Sequence, residues 1–64
     1  MNGEAEEMFD LHKLANLLGL DERTIWRRVA DHTLRKPVKI GRAARWFRSD
    51  IVDFQQRLRD ERGE

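Results

Sequence analysis

The sequence predicts one small domain that is mainly α-helical and contains a short β-hairpin, in the order helix, helix, hairpin, helix. Apolar residues recur at helical spacing near both ends of the chain. A central stretch alternates apolar and polar residues, and glycine or proline stands at the breaks between the stretches. A chain of 64 residues has room for one domain, which buries only about 60% of its unfolded surface.

The first helix is predicted to follow an acidic N-terminal tail. Residues 1–8 have no apolar period, so we expect a flexible acidic tail there, a folded domain over residues 9–60 and a polar end over residues 61–64. Asp10 is placed to cap the helix and Gly19 to end it. The apolar residues between them follow the spacing i, i+3, i+4, i+7 and are Leu11, Leu14, Ala15 and Leu18.

A second helix is predicted to begin directly after a short turn. Asp21 can accept from the free amides of its first turn, and Glu22 suits the positive end of the helix dipole. Ile25 and Val29 are four residues apart and form its buried edge. Two helices joined by a glycine-containing turn of about three residues are the outline of a helix-turn-helix.

The alternating stretch after the only proline predicts the hairpin. Val38 and Ile40 are expected to point into the core, with Lys39 between them pointing outward. Residues 41–44 form the loop, and "RWF" at 45–47 belongs to the second strand. A hairpin beside a helix-turn-helix makes the predicted fold a winged helix-turn-helix.

The last helix completes the predicted core. Ser49 is expected to cap it, with Asp50 in its first turn. One small core is expected, made of Leu11, Leu14, Ala15, Leu18, Leu20, Ile25, Val29, Leu34, Val38, Ile40, Trp46, Ile51, Phe54 and Leu58.

Charge is distributed unevenly along the chain, although the formal net charge is only +1. Residues 1–10 hold four acids and no base, whereas residues 23–48 hold nine basic residues against Asp31 alone. A central cationic zone on a tiny domain is typical of nucleic-acid binders. An ordinary solvated surface is the alternative that charge alone leaves open.

The composition argues against an enzyme and against a bound metal or cofactor. Cysteine is absent, and His12 and His32 are too few for a zinc site without carboxylates at unsuitable spacings. Paired acids occur only near the termini, and no phosphate-binding glycine pattern is present. No apolar run approaches the roughly 20 residues that span a bilayer, so we expect no membrane partner and a cytoplasmic location.

The second helix carries the most specific functional pattern. With Ile25 and Val29 inward, Arg23 and Arg27 point nearly opposite the core, Thr24 and Arg28 flank them, and Trp26 lies on the other flank. Arginines so placed can donate to guanine edges in a major groove. The alternatives are ordinary ion pairs for the arginines, and for Trp26 either packing at the core edge or a contact to phosphate.

The hairpin adds Arg42 and Arg45, and Lys39 on the outer face of its first strand. Such side chains suit a neighbouring minor groove or its phosphates, although exposed hairpin edges also carry charge simply to prevent sheet pairing. Trp46 is expected in the core. Phe47 then points the other way, and is either exposed, in contact with another protomer, or covering another part of the fold.

Three stretches together resemble a known family. "LANLLGLDERTIWRRV", then "KPVKIG", then "RWFRSDIVDF" are similar to the excisionases (recombination directionality factors) and AlpA-like regulators of the MerR-type winged-helix superfamily, over roughly residues 8–58. The chain departs from the family at His32, where glycine is frequent, at Arg35, often proline, at Trp26, usually Tyr, and at Asp21, usually Ser or Thr.

The resemblance implies specific roles and partners. Arg23, Thr24, Arg27 and Arg28 would lie on the groove-facing helix and Arg42 on the wing. The protein would bind double-stranded DNA as neighbouring copies, bend it, and direct a phage-type integrase toward excision. An AlpA-like transcription regulator is the alternative in the same class, and a protein-interaction module with a cationic face is the alternative in another. We also expect a monomer in free solution, whose acidic tail and Phe47 contact the next copy on DNA.

Overall fold

A computed structural model describes residues 5–63 as three helices and a three-stranded antiparallel sheet. The elements in chain order are β1 (Met8–Phe9), α1 (Leu11–Leu18), α2 (Glu22–Ala30), β2 (Val38–Ile40), β3 (Ala43–Phe47) and α3 (Arg48–Arg62). The strands lie in the order β1-β3-β2, so β3 is central. The predicted succession of two helices, a hairpin and a helix is confirmed, and β1 is an additional strand before it.

The first two helices begin and end where the sequence predicts. The Asp10 carboxylate accepts from the amide of Lys13 at 2.7 Å, and the Asp21 carboxylate accepts from the amide of Thr24 at 2.7 Å. Each cap satisfies an amide that has no partner inside its helix. α1 ends at Gly19, which has a φ of 68° and therefore occupies the left-handed region that glycine enters without a steric cost.

The end of α2 uses the same backbone geometry without a glycine. His32 has a φ of 68° and is the only non-glycine residue with positive φ between residues 5 and 63. Its amide donates to the carbonyl of Val29 at 3.1 Å, and the amide of Thr33 donates to the carbonyl of Arg28 at 3.0 Å. The Asp31 carboxylate also accepts from the amide of Thr33. These bonds close the last turn of α2 and reverse the chain toward β2.

The pairing of β2 with β3 overturns the predicted orientation of the first hairpin strand. Lys39 is paired with Ala44, which lies on the same face of β3 as the fully buried Trp46. Val38 and Ile40 therefore lie on the opposite face, 40% and 54% exposed, and do not join the core. Because side chains alternate along a strand, a shift of one residue in register exchanges the two faces.

The hairpin turn is shorter than predicted. Ile40 is paired directly with Ala43, which leaves only Gly41 and Arg42 in the loop and places Ala43 and Ala44 in β3. Gly41 has a φ of 63°, whereas Arg42 has a negative φ. Positive φ at the first loop residue alone is the pattern of a type II′ turn, whose twist matches the twist of the paired strands.

β1 lies partly in the segment predicted to be a tail. Met8 is paired with Phe47 and Phe9 with Trp46, so residue 8 belongs to the sheet. Phe9 is 4% exposed and joins the core, which the sequence prediction omitted. The amide of Arg48 continues the pairing by donating to the carbonyl of Glu7 at 3.1 Å. Residues 1–4 and 64, the rest of the predicted tail and polar end, lie outside the described residues.

The start of α3 also differs from the prediction. The N-cap is Phe47, and the Asp50 carboxylate accepts from the Phe47 amide at 3.0 Å. Ser49 is therefore inside the first turn and does not cap the helix with its side chain. The helix begins earlier because β3 runs into it without a loop, so its first turn is held by the sheet.

Most of the predicted core is confirmed. The buried residues pack into one cluster of Phe9, Leu14, Ala15, Ile25, Leu34, Trp46, Ile51 and Phe54. Partly buried apolar side chains pack against this cluster, namely Leu11, Leu18, Leu20, Val29, Ala44 and Leu58. Val38 and Ile40 are the predicted members that the sheet places outside.

Candidate nucleic-acid interface

The outward face of α2 presents two unengaged arginines. Arg23 and Arg27 are exposed, and neither forms a hydrogen bond or ion pair with any residue between 5 and 63. Hydrogen bonds from Thr24 hold the pKa of the nearby Asp21 carboxyl below its ordinary value, and the positive charges of Arg27 and Arg23 lower that pKa further. Thr24 itself is half-buried beside the cap. The two guanidinium groups are thus open to an external acceptor.

Arg28 lies on the same helix but is occupied by carboxylates. Its guanidinium is 3.7 Å from the Asp31 carboxylate and 3.4 Å from the Glu61 carboxylate near the end of α3. Only 31% of its side chain is exposed. Arg28 therefore connects α2 to α3, and the ion pairs that the sequence left open as an alternative are present here.

Trp26 packs at the edge of the core. Its ring centroid lies 5.5 Å from that of Trp46, at an interplanar angle of 51°, and the residue remains 40% exposed. Trp46 is fully buried, and its indole nitrogen donates to the carbonyl of Arg35 at 2.9 Å. One indole thus supports α2 from the sheet while the other leaves an edge beside the exposed arginines.

The hairpin presents two further cations. Lys39 and Arg42 are exposed, and within the described chain their side chains have no hydrogen bond or ion pair. Lys39 lies on the core-facing side of β2 yet is exposed, so this end of the hairpin extends beyond the helices. Arg45 differs because it is half-buried and its guanidinium donates to the carbonyl of Ala44 at 3.0 Å.

A cluster of ionic contacts holds the connection between α2 and β2 against α3. The Arg57 guanidinium donates to the carbonyl of His32 at 2.6 Å and lies 2.9 Å from the Asp53 carboxylate. Arg35 approaches the same Asp53 oxygen at 3.5 Å. That oxygen is enclosed, and the two guanidinium groups are its ionic partners although neither makes an aligned hydrogen bond to it. Sequence reasoning missed this cluster, which fixes where the hairpin leaves α2.

The acidic N-terminal segment neutralises two cations within its own domain. The Glu7 carboxylate accepts from Arg48 and, at 3.2 Å, from the ammonium of Lys13. These hydrogen bonds hold the pKa of Glu7 below its ordinary value. The Glu6 carboxylate accepts from the amide of Ser49 at 2.7 Å, and its pKa is lowered by its hydrogen bonds to Ser49. Glu6 and Glu7 are therefore engaged inside the monomer and are not unoccupied contacts for a neighbouring copy.

The nine basic residues of the central block thus divide into two groups. Carboxylates engage Arg28, Arg35 and Arg48, and the carbonyl of Ala44 engages Arg45. Within residues 5–63, the cations of the block that have no printed side-chain partner are Arg23, Arg27, Lys36, Lys39 and Arg42. These five side chains, which we call the open cations, come from α2, the hairpin and the segment that joins them.

Comparisons with protein-family models, curated proteins and solved structures gave no match to this chain. In the part of the chain that the structure describes, no three or more histidine, cysteine, aspartate or glutamate side chains are grouped to hold a metal ion. None of the helices described is long and apolar enough to cross a membrane.

Proposed function

We propose that this protein binds double-stranded DNA as a winged helix-turn-helix. α2 enters the major groove, where Arg23 and Arg27 reach base edges and phosphates, and the hairpin directs Lys39 and Arg42 at the adjoining backbone or minor groove. The observation that carries this proposal is the segregation of the open cations. Acidic partners neutralise other basic residues of the block, but they leave these side chains on α2 and the hairpin uncompensated.

The remaining predicted contacts take supporting parts in this proposal. Arg28 and Arg45 contribute charge near the interface while their guanidinium groups stay engaged within the protein. Thr24 and Trp26 border the two open arginines, and the exposed edge of Trp26 is suited to pack against the sugar-phosphate backbone. Exposed surface with this composition, polar and strongly cationic, is typical of protein–DNA interfaces.

We further propose that the protein is an excisionase that acts beside further copies of itself and with a phage-type integrase. This proposal rests on the resemblance carried by the Thr24–Ile25 and Ser49–Asp50 stretches. An AlpA-like transcription regulator uses the same surface, so the two roles differ in consequence and not in chemistry. Circularly permuted DNA fragments that carry the selected site test for bending. A bend together with stimulated excision by the integrase supports the first role, and control of a promoter without either supports the second.

The DNA-binding proposal is tested by the salt dependence of affinity. Each neutralised phosphate contributes a slope of about −0.9 to log K against log salt. If all five open cations contact phosphates, affinity for duplex DNA falls on the order of 500-fold between 50 and 200 mM salt. Fluorescence anisotropy with a labelled duplex measures this slope. A nearly flat response would exclude DNA as the partner.

A charge-matched control separates the proposed surface from general cationic attraction. Arg59 is exposed on α3 and lies two residues from Glu61, about 200° around the helix, so it points away from α2. Replacing Arg23 and Arg27 together by alanine is expected to lower the slope by about two. Arg59→Ala removes one positive charge as well and is expected to leave the slope close to that of the wild type.

A further inference from the structure

The sheet carries an apolar strip on the face turned away from Trp46. Cross-strand pairs place Met8 beside Phe47, Val38 beside Arg45, and Ile40 beside Ala43 on this face. We call the five apolar side chains among them the outer strip, namely Met8, Val38, Ile40, Ala43 and Phe47. Met8, Val38 and Ile40 are between 40% and 54% exposed, so no other element of the described chain covers them.

The outer strip continues into a groove. Val38 and Phe47 also line a depression of about 530 Å³ that is bounded by the end of α2, the segment before β2, and α3. Val29 and the almost fully buried Leu34 contribute to its apolar lining. Strip and groove together form one apolar path across the sheet and alongside α3, which is larger than either feature alone.

The charges around this path are almost entirely positive. Residues 35–48 contain six basic residues and no acidic residue. Lys36 lines the groove and Arg42 lies in the turn beyond Ile40, and both are open cations. The acidic residue in the groove lining is Asp50, whose carboxylate is bonded to the amide of Phe47. The complementary partner is therefore apolar along its centre and negatively charged at its borders.

Charge and area together distinguish between possible occupants. A second copy of this face would bring the same cations together and bury five modest apolar side chains, well short of the roughly 800 Å² per partner of a stable protein interface. DNA offers phosphates but little apolar surface to match Val38, Ile40 and Met8. A short acidic segment satisfies both the apolar path and its positive borders.

We propose that the outer strip and its groove bind a short acidic amphipathic segment of a partner protein. The apolar side chains of that segment cover Ile40, Val38 and Phe47, and its carboxylates pair with Lys36 and Arg42. This site lies on the opposite face of the sheet from Trp46, so it is a second surface beside that proposed for DNA. The proposal stands whether or not the DNA-binding proposal holds.

Synthetic peptides provide the probe. A set of 16-residue amphipathic peptides carries leucines at i, i+3, i+4 and i+7 with glutamates elsewhere, and a matched set carries lysines in place of the glutamates. Titration into the ¹⁵N-labelled full chain is expected to shift amide signals of residues 34–47 with the glutamate set and not with the lysine set. Raising the salt concentration weakens this binding because its borders are ion pairs.

Matched variants test the apolar part of the site. Ile40→Ser is expected to weaken peptide binding about tenfold, because a half-exposed aliphatic side chain loses its buried contact. Val52→Ser is the control, since Val52 is a similarly exposed aliphatic residue (59%) on α3 and is not part of the strip or groove. The unfolding midpoint of each variant, measured in the same buffer, confirms that the fold is retained.

Several outcomes would overturn the proposal. No binding by any glutamate peptide, equal binding by the lysine set, or equal losses for the Ile40 and Val52 variants would each do so. Signals of Val38 and Ile40 that shift with protein concentration alone would assign the strip to a second copy. Shifts confined to the strip on addition of a DNA duplex would assign it to DNA. Because peptide binding is measured without DNA, its failure is distinct from failure of the salt test on DNA.

Discussion

The indole rings of Trp26 and Trp46 contact each other at a centroid distance of 5.5 Å, tilted by 51°. This pair joins α2 to the central strand of the sheet, and Trp46 is anchored in turn by its hydrogen bond to the carbonyl of Arg35. The orientation of the arginines on α2 relative to the hairpin therefore depends on an aromatic contact between two elements that are 20 residues apart in sequence. Tilted pairs of this kind add about 0.5–1.5 kcal/mol to the effect of burial.

Trp26→Ala is expected to destabilise the fold by about 2 kcal/mol, through loss of partial burial and of the aromatic pair. Urea denaturation followed by circular dichroism measures this change. Trp26→Phe keeps a ring against Trp46 and should cost about half as much. Leu17→Ala, at a 57% exposed position, is the control and should stay within about 0.5 kcal/mol of the wild type. A cost for Trp26→Ala no larger than this control would contradict a structural role for the pair.

Arg27 and Arg28 are adjacent in sequence but should behave differently on DNA. Arg27→Ala is expected to cost about 1–3 kcal/mol on a site selected from random sequence and less on random DNA, as a base contact does. Arg28→Ala should affect binding less and instead lower stability by no more than about 1 kcal/mol, because its partly exposed ion pairs with Asp31 and Glu61 are lost. Anisotropy on both duplexes and urea denaturation distinguish the two effects. Equal binding losses for the two variants would show that Arg28 leaves its carboxylates on DNA.

Acid is expected to weaken the attachment of β1 to the start of α3. The pKa of Glu7 is lowered by hydrogen bonds from Arg48 and Lys13, and that of Glu6 by hydrogen bonds to Ser49. A carboxyl whose folded pKa is depressed stabilises the fold above its unfolded pKa, near 4.5, and loses that contribution as the pH falls through the folded value.

Thermal unfolding between pH 7 and 2.5 tests this dependence. The midpoint of the wild type should fall more steeply below pH 4.5 than that of the double variant Glu6→Gln, Glu7→Gln, which should already be less stable at pH 7. Parallel curves for the two proteins would mean that other carboxylates, such as the caps Asp21 and Asp31, account for the acid sensitivity.

His32→Gly is expected to stabilise the protein by about 0.5 kcal/mol. A β-carbon in the left-handed region costs roughly 1–2 kcal/mol, and the greater freedom of glycine in the unfolded chain offsets part of the gain. The carbonyl of His32 continues to accept from Arg57, since that bond involves only the backbone. His32→Ala keeps the β-carbon and should give no gain. A similar gain for alanine would remove φ as the cause.

Local features of the sequence were sufficient to predict α1, α2 and their boundaries. Asp10, Asp21 and Gly19 act within one turn of their own positions, so capping depends little on the rest of the fold. The apolar stripe of α1 and the pair of Ile25 and Val29 likewise follow the helical period, and they pack into or against the core as predicted. The buried position of Trp46 was also predicted from the strand pattern.

Tertiary structure alone decided the orientation of the hairpin strand and the existence of β1. A strand of three residues has too few positions for its pattern to fix which face is inside, and Val38 and Ile40 lie outward because β3 places Trp46 inward. β1 has two residues and forms only because β3 supplies its partners. Phe9 therefore enters a core that no local periodicity includes.

The charge pattern shows the same division between sequence and structure. The sequence by itself determined that nine basic residues are concentrated in the middle of the chain. Which of them are open was decided by contacts across 33 residues from Arg28 to Glu61 and 41 residues from Arg48 to Glu7. Ion pairs act over a few ångströms of space and carry no sequence period, so only the folded chain reveals which cations are already neutralised and which remain for a partner.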